Sequence, residues 1–160
     1  MKQLLGVFSM TAMLFASQAW CGSLPDSPLL GTWEVDIARL PVPPEARPQR
    51  VTVTFAEGEG GQLATRVEVI DPTGASMVAE GLSALDGKPA AVSGNLEADT
   101  AAASMPEPNV LVMQLARANV PGSTRIYTVA PDGKSMTETA ANWGDNGRPL
   151  MRVNHFSRVK

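Results

Sequence analysis

The chain reads as an all-β protein: an up-and-down antiparallel β-barrel of about eight to ten strands, preceded by an N-terminal export signal. Three observations predict this. Short alternating segments recur, with turn signals about every ten to fifteen residues. Fourteen glycines and thirteen prolines in 160 residues favour many short elements over a few long helices. No window beyond the leader carries a 3.6-residue period. Successive hairpins form a meander, and a meander of this size removes its edges by closing on itself. A Greek-key sandwich is the alternative arrangement of the same strands.

Composition narrows the function classes. Apolar residues make up 44% of the chain, enough for one core. Charged residues are only 18%, with a formal net charge of −3, so nucleic-acid binding has no electrostatic basis. One cysteine and one histidine exclude a disulfide framework and a Cys/His zinc site. No metal and no cofactor is expected.

Residues 1–19 have the form of a secretory signal. Lys2 supplies the positive start, and Leu4 to Ala16 is the apolar run. Ser17 and Ala19 place small residues three before and one before a cut after Ala19. The expected destination is the periplasm or the exterior, with residues 20–28 a mobile linker and 29–160 the barrel domain. Cys21 offers a lipoprotein anchor as the alternative, but Gln18 and Trp20 depart from the lipidation pattern. No stable membrane anchor is therefore expected.

The elements follow in order. Trp33, Val35 and Ile37 alternate with Glu34 and Asp36, a half-buried first strand from Gly31 to Ile37. Leu40 to Pro48 holds four prolines and reads as an extended linker. Arg50 to Phe55 alternates cleanly, and Gly58, Gly60 and Gly61 turn the chain into Leu63 to Ile70. Asp71-Pro72-Thr73-Gly74 leads to Ser76–Leu85, and Asp86-Gly87-Lys88-Pro89 to a short Ala90–Ser93 segment. Thr100 to Met105 is weakly patterned, and the Ala-rich run from Ala98 to Ser104 leaves a short helix open. Val110 to Arg117 is apolar on both faces, and Pro121-Gly122 reads as the next turn. Thr124–Ala130, Met136–Trp143 and Leu150–Val159 complete the set, separated by Asp132-Gly133 and Asn146-Gly147 turns.

Gly31-x-Trp33 on the first strand resembles the Gly-x-Trp signature of the lipocalin and fatty-acid-binding superfamily. Phe156-Ser157-Arg158-Val159 resembles the ending of its last strand. The resemblance implies that Trp33 plugs the closed end of the barrel and that Arg158 lies across its ring. Asp86-Gly87-Lys88, Val92-Ser93-Gly94, Asp99-Thr100, Pro131 to Thr137 and Gly147-Arg148-Pro149 are similar, in order, to a family of bacterial secreted lipocalin-like domains. This similarity covers about residues 28–160 and implies a fold, since that family mostly lacks an assigned function. Two departures matter. The segment after the first strand is proline-rich and lacks the amphipathic pattern of a two-helix lid. The Arg-x-Tyr carboxylate clamp of fatty-acid-binding proteins would fall at Asn154-x-Phe156, where both clamp residues are replaced.

Arg125-Ile126-Tyr127 is an Arg-x-Tyr in another place. Residues two apart on a strand share a face, so an inward register aims both into the lumen, where they suit an anionic ligand group. The opposite register exposes them and buries Ile126 and Thr128, and exposed arginine is the commoner case. Arg152 lies on the last strand, two strands further along the meander. Arg125, Tyr127 and Arg152 are thus the candidate ligand-binding residues. Buried cations there demand an anion, water or a carboxylate such as Glu138.

No catalytic constellation is present: no Gly-x-Ser-x-Gly elbow accompanies His155, and the Asp132 and Asp145 segments read as turns, without the spaced acids of a calcium loop. The reading is a non-enzymatic barrel that binds a small apolar or amphipathic molecule in its interior. The alternative is an envelope interaction protein whose barrel is filled by side chains.

Overall fold

A computed structural model describes residues 24–94, 96–144 and 146–159; the leader and Cys21 lie outside the described residues. Ten strands follow one another: β1 (Gly31–Val35), β2 (Arg50–Glu57), β3 (Leu63–Ile70), β4 (Ser76–Ser83), β5 (Asp86–Ser93), β6 (Thr100–Glu107), β7 (Val110–Arg117), β8 (Val120–Val129), β9 (Ser135–Trp143) and β10 (Pro149–Arg158). Every strand pairs antiparallel with its chain neighbours, and β10 returns to β1, closing the barrel. The all-β meander expected from the sequence is the fold observed.

Period-2 alternation places the core. β6 and β7 each bury every second residue. Their inward side chains, among them Ala101, Ala103, Leu111, Met113 and Leu115, join Trp33, Phe55, Leu63, Val129 and Met136 in one cluster. The Ala-rich stretch that left a helix open is strand β6. Its small inward alanines sit where the large residues of β7 need room.

Four local expectations differ from the structure. β1 stops at Val35 and a 3-10 turn, Ile37–Arg39, follows it, while the Leu40–Pro48 linker is extended at Leu40 and Arg47 but holds a second 3-10 turn, Pro44–Ala46. Asp86 to Pro89 opens β5 and bulges against β6. The turn before β8 is Ala118-Asn119, not Pro121-Gly122. Both turn residues have positive φ (50° and 63°), as a tight two-residue hairpin requires; Pro121 pairs with Ala116, and a register shift between Leu115 and Ala116 leaves Gly122 as the extra residue on β8. Residues 24–28, expected as mobile linker, pack onto the barrel: Leu24 and Ser27 are buried, and the Ser27 hydroxyl donates to the Pro108 carbonyl at 2.6 Å.

The closed end forms around Trp33, which is fully buried and donates its indole N–H to the Leu29 carbonyl at 2.8 Å. Arg158 stands opposite it in register, with its guanidinium carbon 4.1 Å from the ring centroid. The same guanidinium donates to the carbonyls of Gly133 (2.6 Å), Leu30 (2.7 Å) and Pro28. Gly31 starts the strand at φ 130°, a conformation that side chains disfavour.

Candidate functional site

Three adjacent strands build the polar side of the open half of the lumen. Register sets Tyr127, Glu138 and Asn154 in one row across β8, β9 and β10, and Arg125, Ala140 and Arg152 in the next row towards the rim. The inward register is the one adopted on β8. Tyr127 is 3% exposed and Val129 1%, while Ile126 is 39% exposed. Facing Ile126 inward would have expelled Tyr127, the larger apolar body, and Val129 with it.

Glu138, at 2% exposure, is the centre of this site. One carboxylate oxygen receives an Arg125 N–H at 2.9 Å, and the other receives the Asn154 amide N–H at 2.9 Å. The Tyr127 hydroxyl points at the first oxygen from 3.5 Å, a weak contact. Its ring packs edge-on against Phe55 (centroids 5.4 Å) and Phe156 (6.4 Å). Burial pushes the Tyr127 phenol well above its ordinary pKa, and the Glu138 charge adds to this, so Tyr127 is a neutral hydroxyl. For Arg125, burial opposes the charge, but the carboxylates of Glu138 and Glu97 outweigh it and hold the guanidinium protonated.

The outer edge of Arg125 carries a second ion pair, with Glu97 of the segment joining β5 to β6. Glu97 is half exposed (49%), whereas the Arg125 side chain is 13% exposed. Arg152 lies at the rim, exposed, and lines the mouth together with Arg125, Glu138 and Asn154. Two arginines thus face two carboxylates, and the formal charges of the group balance.

Two spaces flank the Arg125–Glu97 pair. The outer one, about 260 Å³, has apolar walls of Val35, Leu40, Val51, Val67, Val69 and Phe156, with the charged residues on one side. The inner one, about 60 Å³, is bounded by Thr65, Ala101, Met113, Leu115 and Tyr127 among others. Val67, Leu96, Glu97 and Arg125 line both. Among the described residues, each space has one buried polar side-chain atom without a hydrogen-bond partner: Thr65 Oγ1 at the inner one and Asn154 Oδ1 at the outer one.

The three candidate residues therefore share one lumen, with Arg125 and Tyr127 in contact with Glu138 and Arg152 at the mouth. Sequence reasoning missed Glu97 and Thr65. Thr65 was accessible through the alternation of β3, where it shares a face with Leu63 and Val67. Glu97 sits in a loop without periodicity and reaches its partner across 28 positions. The closed-end residues Gly31, Trp33 and Arg158 lie at the opposite end and take no part in this site. Asp132 accepts the backbone N–H groups of Lys134 (2.8 Å) and Ser135 (3.3 Å), so its carboxylate serves a turn. Among the described residues no group of three or more His, Cys, Asp or Glu is placed to hold a metal.

No family model matches the chain, and no curated protein matches it. Among solved structures, the crystal structure of a mutant of the fluorescent protein UnaG is similar. It is 13% identical with a TM-score of 0.47, and the match covers 81% of this chain and 95% of that one. The fold is a closed ten-stranded ladder with the Trp33–Arg158 contact at one end of it.

Proposed function

We propose that the protein is an exported, non-catalytic, lipocalin-like barrel of the bacterial secreted type that holds a small, partly apolar molecule at the mouth of its lumen. One observation carries this reading. The outer space has aliphatic walls on one side and Arg125, Arg152, Glu138 and Asn154 on the other, the division of labour of a small-molecule site. Its volume, about 260 Å³, lies just below the usual range of about 300–1,000 Å³ and suits a small ligand. Export is supported by Lys2, the apolar run and the Ser17-x-Ala19 pattern.

Native mass spectrometry of protein purified from its own host tests the binding reading. A retained mass that is lost on denaturation is the expected result. A bare polypeptide that also takes up no apolar or amphipathic probe would refute it. N-terminal sequencing of the same material tests export: a start at Trp20 is expected, and a diacylated Cys21 at the N-terminus would instead mean lipoprotein processing.

A second reading has its own observation. The inner lumen is nearly filled, and the outer face of β8–β10 exposes Ile126, Trp143, Met151 and Val153. A side-chain-filled barrel working through that face would be an envelope interaction protein. It would bind no small molecule, and Trp143→Ser would abolish its association without disturbing the lumen.

A further inference from the structure

The two partners of Arg125 differ in how they are held. Glu138 is fixed in the middle of a central strand and buried. Glu97 is half exposed and sits on the β5–β6 connection, next to Ala98, which is buried in the core. At one end, Gly94 passes so close to β4 that a Cβ placed on it would fall 1.7 Å from the Val78 carbonyl oxygen, with φ at +84°. At the other, the Asp99 N–H donates to the Ala116 carbonyl at 3.0 Å, and the Asp99 carboxylate receives the Ala118 N–H at 2.8 Å. Between these anchors, Leu96 and Glu97 border both the inner and the outer space.

We propose that the β5–β6 segment is an electrostatic latch: Glu97 occupies the anion seat on Arg125, and the ligand is an amphiphile whose carboxylate displaces it. This rests on the small-molecule reading above and names the ligand class. A carboxylate arriving at Arg125 and Arg152 replaces the charge that Glu97 withdraws, so the group stays balanced against Glu138. A cation would meet both guanidinium groups and gain no free partner. Withdrawal of Glu97 and Leu96 also removes the partition between the two spaces, which gives the tail of the ligand the apolar inner space beside Met113 and Leu115. Glu97 is the exchangeable partner because half-exposed pairs are weak and screened, whereas a buried carboxylate cannot leave its arginine.

Calorimetric titration of the full chain and of Glu97→Gln with octanoate and, separately, octanol tests this. Loss of the competing charge is expected to tighten octanoate about three- to tenfold in the variant and to leave octanol unchanged. Hydrogen exchange of the amides of residues 96–98 in the unsubstituted chain is expected to speed up when octanoate binds. Equal octanoate affinity in both proteins, or slower exchange at 96–98, would overturn the latch. So would octanol binding in the absence of any octanoate binding to Glu97→Gln, which leaves the small-molecule reading standing. If neither probe binds either protein, the small-molecule reading fails and the latch with it.

Discussion

The two ends of the barrel each hold a partly buried arginine, and they satisfy it in opposite ways. At the closed end, Arg158 lies on the Trp33 ring and donates to three backbone carbonyls. Those partners are neutral, and two of them belong to the Pro28–Leu30 segment that seals the barrel. At the open end, Arg125 is held by two carboxylates, one on a central strand and one on a loop. Backbone carbonyls cannot be exchanged without unfolding the segment that carries them. A loop carboxylate can be exchanged for another anion. The first arrangement fixes a structure, and the second leaves a seat that can change occupant.

The largest effect expected from breaking this comparison is at the closed end. Trp33→Ala removes a fully buried indole and should cost about 3–5 kcal/mol. Arg158→Ala should cost less, about 2–3 kcal/mol, since it removes a cation–π contact and leaves carbonyls near solvent. Urea midpoints read both. If both variants match the parent, the plug is not what holds the barrel shut.

Much of this end was legible in the sequence. Trp33 and Arg158 stand in recognisable local motifs, and alternation located the strands around them. The open end was legible in pairs only. Period 2 puts Arg125 and Tyr127 on one face but does not say which face, because Ile126 and Thr128 make a competing inward set. The choice is settled by the whole register of β8 against β9, which brings Tyr127 beside Glu138 and Val129 beside Met136. Pro121-Gly122 resembles a turn and lies inside a strand because a bulge at Leu115/Ala116 moves the true turn to Ala118-Asn119. The prolines of 41–48 exclude a ladder, but the sequence left unstated that the chain would coil into single 3-10 turns. Glu97 could not be assigned, since a contact made by a loop residue depends on where the loop is pinned, and here Gly94 and Asp99 pin it.

Tyr127 gives a pH test of the open end, sharpened by its being the one tyrosine in the chain. Its folded pKa lies above the unfolded value of about 10. The unfolded phenol therefore releases its proton first. The stability tied to the protonated hydroxyl is complete below about pH 10 and falls as pH rises from there towards the folded value. Absorbance near 295 nm should show no phenolate in the folded protein at pH 10–11, and should appear together with the loss of near-ultraviolet circular dichroism. A phenolate that forms at pH 10 with the fold intact would place Tyr127 in contact with water.

The smallest expected effect, that of Glu97→Gln, is the most discriminating when set against Glu138→Gln, because the two carboxylates share one arginine. Glu138→Gln leaves Arg125 buried with its inner partner neutralised and should cost about 2–4 kcal/mol, the penalty of breaking a buried pair, lessened because the amide oxygen still accepts. Glu97→Gln removes a half-exposed charge from the same guanidinium and should cost under about 1 kcal/mol. The two variants should also differ in salt. The gap between the parent and Glu97→Gln should shrink between 0.05 and 1 M sodium chloride, because ions screen a contact at the rim. The gap for Glu138→Gln should persist, because ions do not reach a carboxylate that is 2% exposed. Equal costs, or equal salt dependence, would mean that Glu97 is as firmly built into the barrel as Glu138, and that the open end is as permanently sealed as the end closed by Trp33.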